Sequence, residues 1–274
     1  MATIAKTKQP VRMPRFGHRV DKTDPILRGC VGWWPLNDGA GTKAVDISGK
    51  SKHLTAVGNA TFTTTAKGTA GDYDGTGDHH QNTSFIVNAF PWTLSAWGYY
   101  SGSGTSRDTL LGLGCSSSDV PYCYIFFDNT TGTAAGSTRC SAAGYPFQVV
   151  STSITTGSWY HLVWVQTSQT SGEFFVNGTS VGTDSTNLNS APTPALNQVS
   201  TGALDRTTVI NEMLGQVQNA RVYNRALSPT EVSRLYSEPW AGLEPLSPFS
   251  FFSVPTAGAP LAVFYNHYKN QGII

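Results

Sequence analysis

Apolar runs in this chain are short and closely spaced, and that spacing leaves little room for anything but β-strands. Between residues 26 and 237 they read CVGWWPL, WTLSAWGYY, DTLLGLG, CYIFFD, FQVVST, WYHLVWVQT and GEFFVNGTSVGT. Each is of strand length, and clusters of Gly, Asn, Asp and Ser separate them. That is the pattern of a two-sheet sandwich or jelly roll. In FFVNGTSVG the pair Asn177-Gly178 sits between two runs, which predicts a tight hairpin.

Composition agrees. Of the 274 residues, 39% are apolar, enough for a core, and only 13% are charged. The charged share is about half that of an ordinary soluble domain and suits neutral, turn-rich faces. The net charge of +1 gives no bulk signal for nucleic acid or membrane. Its distribution is uneven: residues 1–28 hold seven basic residues against Asp21 and Asp24, and the remainder is mildly acidic. MATIAKTKQPVRMPRF lacks the apolar run of a secretory signal, and no stretch approaches the ~18 apolar residues of a membrane span. Synthesis in a reducing cytoplasm is therefore expected, with Cys30, Cys115, Cys123 and Cys140 as thiols. A Cys115–Cys123 link across a hairpin stays open.

One helix is well marked, in VYNRALSPTEVSRLYSEPWAG. Ser228 is the N-cap, Pro229 the first helical residue, and Glu231 completes a capping box. Leu227 and Val232 form a hydrophobic staple, and Val232, Leu235 and Tyr236 share a face. Pro239 stops the helix after about two turns. A helix this short is marginal alone, so it must dock on the sandwich.

These segments also carry a family resemblance. GQVQNARVYNRALSPTEVSRLY resembles the closing strand and helix of laminin-G-like, concanavalin A-like jelly-roll domains. GWWPLNDGAG, YDGTGDH, FPWTLSAW, and WYHLVWVQ followed by FFVNGTSVGT resemble other strands of that family, in the right order. The match covers about residues 27–237. It implies an all-β, two-sheet jelly-roll sandwich with one short C-terminal helix. Gln218 departs from it, standing where the family often has an acid, and 101–145 fits poorly.

The resemblance brings several chemistries to weigh. The fold hosts glucanases, which need two carboxylates about 5–10 Å apart. No E-x-D-x-E run supplies them here, so no catalytic residue is expected. GYYSGSGTS lacks a strand-to-helix elbow for a serine nucleophile. His161 alternates along a strand as a structural histidine, and His79-His80 beside Asp74 and Asp78 read as loop residues at a sheet edge. Related domains often carry Ca²⁺ at a rim. Asp38, Asp46, Asp74 and Asp205 lie in turns, but their spacing defines no ligand set, so no metal or other cofactor is assigned. Glycan binding would need an exposed aromatic platform. Trp33 and Trp34 are consecutive and point to opposite faces of a strand, so one of them is the candidate.

Three regions follow: a basic extended arm at 1–25, the jelly roll at 26–237, and an apolar extended arm at 238–274, which holds five of the 15 prolines. Arg12, Arg15 and Arg19 in the first arm are expected to bind a partner. So are Trp240, Phe249, Phe251, Phe252, Val263, Phe264 and Tyr265 in the second, which would be an aggregation hazard left in water. The Tyr-Ser-Glu-Pro-Trp run after the helix resembles laminin-G-like domains encoded by tailed phages. That resemblance implies a non-enzymatic bacteriophage virion protein: a capsid decoration or other head or tail surface component. Its arms would bind the major capsid protein, other virion subunits or sister copies in a homo-oligomer. The alternative is a lectin-like module for host attachment that binds a surface polysaccharide. Neither reading involves a membrane or specific nucleic-acid recognition.

Overall fold

The computed structural model describes residues 19–244 apart from 67, 86, 88, 105, 143–146 and 189. Among the described residues there are sixteen strands and one α-helix, preceded by a 3-10 turn at Pro25–Leu27. The strands begin with β1 Cys30–Trp34, β2 Lys43–Ala44, β3 Leu54–Val57, β4 Thr61–Thr65, β5 Gly68–Asp74 and β6 His79–Asn82. Next come β7 Trp92–Tyr100, β8 Arg107–Cys115, β9 Ser118–Asp128, β10 Thr133–Arg139 and β11 Phe147–Val150. The last are β12 Ser158–Ser168, β13 Ser171–Val176, β14 Thr179–Asp184, β15 Gln198–Thr201 and β16 Leu214–Tyr223, followed by α1 Pro229–Ser237.

They form two antiparallel eight-stranded sheets. The first runs β14-β13-β12-β7-β16-β5-β4, with β1 also beside β16; the second runs β11-β10-β9-β8-β15-β6-β3-β2. The chain alternates between them, as from β5 to β6 to β7 to β8, which makes a jelly-roll sandwich. Period-2 alternation fills the space between. From β7, Trp92, Leu94 and Ala96 point inward; from β12, Tyr160, Leu162 and Trp164 meet them. Gly136 lets β10 approach closely, since a Cβ there would lie 2.5 Å from the Trp164 ring. The Asn177-Gly178 turn has φ of 51° and 77°, the left-handed pair of a two-residue hairpin.

The first sheet is covered on its outer face too. Helix α1 packs Val232 and Leu235 onto Trp33, Val163, Val165, Phe175 and Tyr223, forming a second apolar cluster. Its capping box is present as read from the sequence. Trp33 and Trp34 do point to opposite faces, but both faces are buried, so both rings are fully enclosed. Neither offers a glycan platform. Trp33 Nε1 donates to Asn219 Oδ1 and Trp34 Nε1 to the Lys52 carbonyl, both at 2.7 Å.

The described parts of both terminal segments are built into the domain rather than extended from it. Val20 bridges Leu243, Asp21 N donates to the Gly242 carbonyl, and Glu244 N donates to the Arg19 carbonyl. Asp24 takes a bidentate pair from Arg234 of α1, both bonds 2.7 Å. Trp240 is buried in the second cluster, so its ring anchors this chain to itself rather than to a partner. The main chain of Arg19 is likewise held by Glu244. Arg12, Arg15, Phe249, Phe251, Phe252, Val263, Phe264 and Tyr265 lie outside the described residues.

All four cysteines are buried, free thiols. Register explains why Cys115 and Cys123 do not join: Cys123 faces Leu113 across the β8–β9 ladder, and Cys115 faces Ser118. His79 and His80 also differ from expectation. They lie buried in β6, an interior strand between β15 and β3, not in a loop at a sheet edge.

Candidate functional site

One cleft opens on the outer face of the first sheet, where β16 begins. It has a volume of about 590 Å³. Strand alternation turns Asp72 and Asp74 of β5 outward, while Tyr73 goes into the core. Register then aligns a polar row across four strands: Thr61 pairs with Asp72, Asp72 with Gln216, and Gln216 with Tyr99. Gln216 hydrogen-bonds the Asp72 carboxylate. Ser101, whose hydroxyl donates to the Leu214 carbonyl at 2.8 Å, closes one side, and Asn59, Asp74 and Asp78 close the other. Tyr99 supplies a ring that leans on Trp159, centroids 5.9 Å apart.

The carboxylates differ. Asn59 donates to Asp74 at 2.7 Å and Thr76 N donates at 2.9 Å, which holds Asp74 below the usual carboxylate range. Burial pushes Asp78 up to about 6, although Asp74 N donates to its Oδ2 at 3.0 Å. Burial also raises Asp72. The Gly75-Thr76-Gly77 turn is pinned from the far side by Glu212, which accepts from Gly77 N at 2.8 Å. The cleft therefore presents carboxylates, an amide, hydroxyls and one outward aromatic ring. That set matches a ligand rich in hydroxyl groups.

The aspartates considered for a cation are not brought together. Asp46 caps its own turn, accepting from Trp33 N, Ser48 N, Ser48 Oγ and Lys52 N. Asp38 accepts from Val45 N, Asp74 belongs to the cleft, and Asp205 sits in the loop after β15. Among the described residues no three His, Cys, Asp or Glu side chains are grouped to hold a metal. His161 lies on the outer face beneath α1, with Nε2 2.9 Å from Ser95 Oγ, and burial pushes it down to about 3.

The cleft residues Asp72, Tyr99 and Gln216 escaped the sequence reading. The local signal was present in Gly-Asp-Tyr-Asp, residues 71–74, where alternating acids place two carboxylates on one strand face.

Comparison with known proteins agrees with the architecture. Residues 74–233 match a family described as the concanavalin A-like lectin/glucanases superfamily. No curated protein sequence matches. Among solved structures, the chain is similar to domain 4 of AbnA, an extracellular arabinanase from Geobacillus stearothermophilus, in complex with arabinotriose. There the identity is 16% and the TM-score 0.59, over 76% of this chain and 98% of that one. It is also similar to Trypanosoma rangeli sialidase in complex with sialic acid, at 16% identity and TM-score 0.57, over 78% of this chain and 34% of that one. The binding domain of Paraclostridial Mosquitocidal Protein 1 aligns at 13% identity and TM-score 0.58, over 77% of this chain and 52% of that one. At these identities the likeness establishes the fold alone.

Proposed function

Because the chain belongs to the concanavalin A-like lectin/glucanase superfamily, we propose that it is a non-catalytic carbohydrate-binding module, displayed on a virion surface and held there by its terminal segments. The observation that carries the binding role is the outward row Thr61–Asp72–Gln216–Tyr99, set in a cleft with Asp74, Asp78 and Ser101. Carboxylate and amide groups exchange hydrogen bonds with hydroxyls, and an aromatic face packs on the apolar side of a sugar ring. The similar arabinanase domain and sialidase, each solved with a saccharide, are in keeping with this reading.

Binding without hydrolysis is favoured by the carboxylates themselves. Hydrolysis needs an acid on each side of the scissile bond. Asp74 and Asp78 are instead tied together through one backbone amide at one end of the cleft.

The arrangement of the termini supports attachment. The cleft lies at Leu214–Gln216, where β16 begins, and the paired segments around Val20 and Leu243 pack near its end, where Arg221 bonds Pro239 and Ala241. Those two places are roughly 17–23 Å apart at strand rise. A module held by its termini would therefore point its cleft away from the support.

The binding role is tested by titrating the full chain with arabinotriose, maltotriose, cellotriose and sialyllactose. Binding that is lost in Gln216→Ala and Tyr99→Ala is expected; no binding to any of them would count against the role. Attachment is tested by removing residues 245–274, which spares the Val20–Leu243 bridge. Loss of particle occupancy is expected, and normal occupancy would overturn the anchoring role.

A further inference from the structure

Four polar atoms buried on the outer face of the first sheet make no hydrogen bond to any described group: Trp97 Nε1, His161 Nδ1, Gln218 Oε1 and Asn177 Nδ2. They form a single row. Gln218 of β16 pairs with Trp97 of β7, and Trp97 pairs with His161 of β12. Asn177 extends the row by accepting from His161 N at 3.0 Å. Each of the four side chains is 3% exposed or less. Their orientations are set: Gln218 Nε2 is spent on the Thr69 carbonyl and Asn177 Oδ1 on His161 N, which leaves the other end of each amide unmade. Buried donors and acceptors are rarely left so, and four in register point to an absent polar partner.

The row adjoins the cleft. Gln218 and Trp97 lie two residues along their strands from Gln216 and Tyr99, about 7 Å on the same face. What covers it is Tyr236, from the last turn of α1. Its ring stacks on Trp97 at 5.6 Å and on His161 at 6.3 Å, each with an interplanar angle of 18°. A flat ring laid on the Trp97 indole occupies the place a pyranose ring would take.

We propose that this row is a second saccharide subsite, continuous with the open cleft and closed by Tyr236, which accepts a sugar ring stacked on Trp97. The proposal rests on the carbohydrate reading of the cleft. Trp97 Nε1–H and the Asn177 amide would donate to ring hydroxyls, Gln218 Oε1 would accept, and His161 Nδ1 would do either according to its tautomer. Opening requires the Tyr236 side chain to rotate away, while its helix stays held by Val232 and Leu235.

The experiment titrates the full-length protein with cellotriose, maltotriose and glucose. Tyr236→Ala is expected to raise affinity for a trisaccharide at least about threefold and leave glucose unchanged, since removing a competing closed state raises apparent affinity. Gln218→Leu added to it should lose about fivefold, the worth of one uncharged hydrogen bond. In the unsubstituted protein, the Trp97 indole N–H resonance should shift on adding trisaccharide, a readout that does not depend on either variant folding. Suppose a trisaccharide binds and is lost in Tyr99→Ala, while Tyr236→Ala, Gln218→Leu and the Trp97 resonance show no effect. The subsite is then overturned, the row is a hydrated packing seam, and the cleft reading stands. If no saccharide binds in any variant, both readings fall.

Discussion

Arg221 is fully buried and ion-pairs with no described carboxylate. Its guanidinium lies 3.8 Å from the centre of the Trp33 ring and donates to the Pro239 carbonyl at 2.8 Å and the Ala241 carbonyl at 3.0 Å. A buried cation is costly unless every donor is satisfied, and here neutral oxygens and an indole face do that. Arg221→Ala should therefore cost at least about 3 kcal/mol in urea denaturation, from lost packing and stranded carbonyls. Arg221→Lys should recover little of it, since an ammonium cannot fork between two carbonyls. Trp33→Ala should lose about 3–5 kcal/mol, with glycan affinity per folded molecule unchanged. The sequence does show that Trp33 and Trp34 point oppositely. It does not show that both faces of their strand are covered, because the cover comes from residues some 200 positions away.

At the scale of elements, what was legible is what local chemistry decides. Ser228, Pro229 and Glu231 announce α1, and Asn177-Gly178 announces a hairpin, because caps and turns are made by near neighbours. Ser228→Ala should cost about 1 kcal/mol and lower the melting temperature by roughly 2–4 °C, measurable by calorimetry. The cleft was not legible, because it depends on register. Gln216 reaches Asp72 only since β16 inserts between β5 and β7. No local rule fixes a pairing across more than 140 residues of chain. The same is true of the terminal segments: the sequence reads 1–25 and 238–274 as arms, and the Val20–Leu243 bridge shows their inner ends folded together.

For the whole molecule, acid stability is a contest between buried acids and buried histidines. Burial raises Asp78, Asp108 and Asp205 to about 6, so as pH falls from 6 towards 4 the folded state binds protons first and gains stability. His80 is held down to about 4 and His161 to about 3, so over the same range the unfolded chain binds first and the fold loses. These slopes oppose each other until the aspartates are protonated in both states. Below about pH 4 the remaining histidine loss, mainly that of His161, is unopposed, and Glu231, held down to about 2 chiefly by Arg225, adds to it. Denaturation midpoints should therefore change little between pH 6 and 4 and fall steeply below. An equally steep fall between pH 6 and 5 would refute this balance. The most direct test of the binding claim is a titration of isotopically labelled full-length protein with the tightest-binding trisaccharide, followed by NMR. Amide shifts should concentrate at Thr61, Asp72, Tyr99, Ser101 and Gln216. Shifts confined to the outer face of the second sheet, or none at saturating sugar, would contradict it.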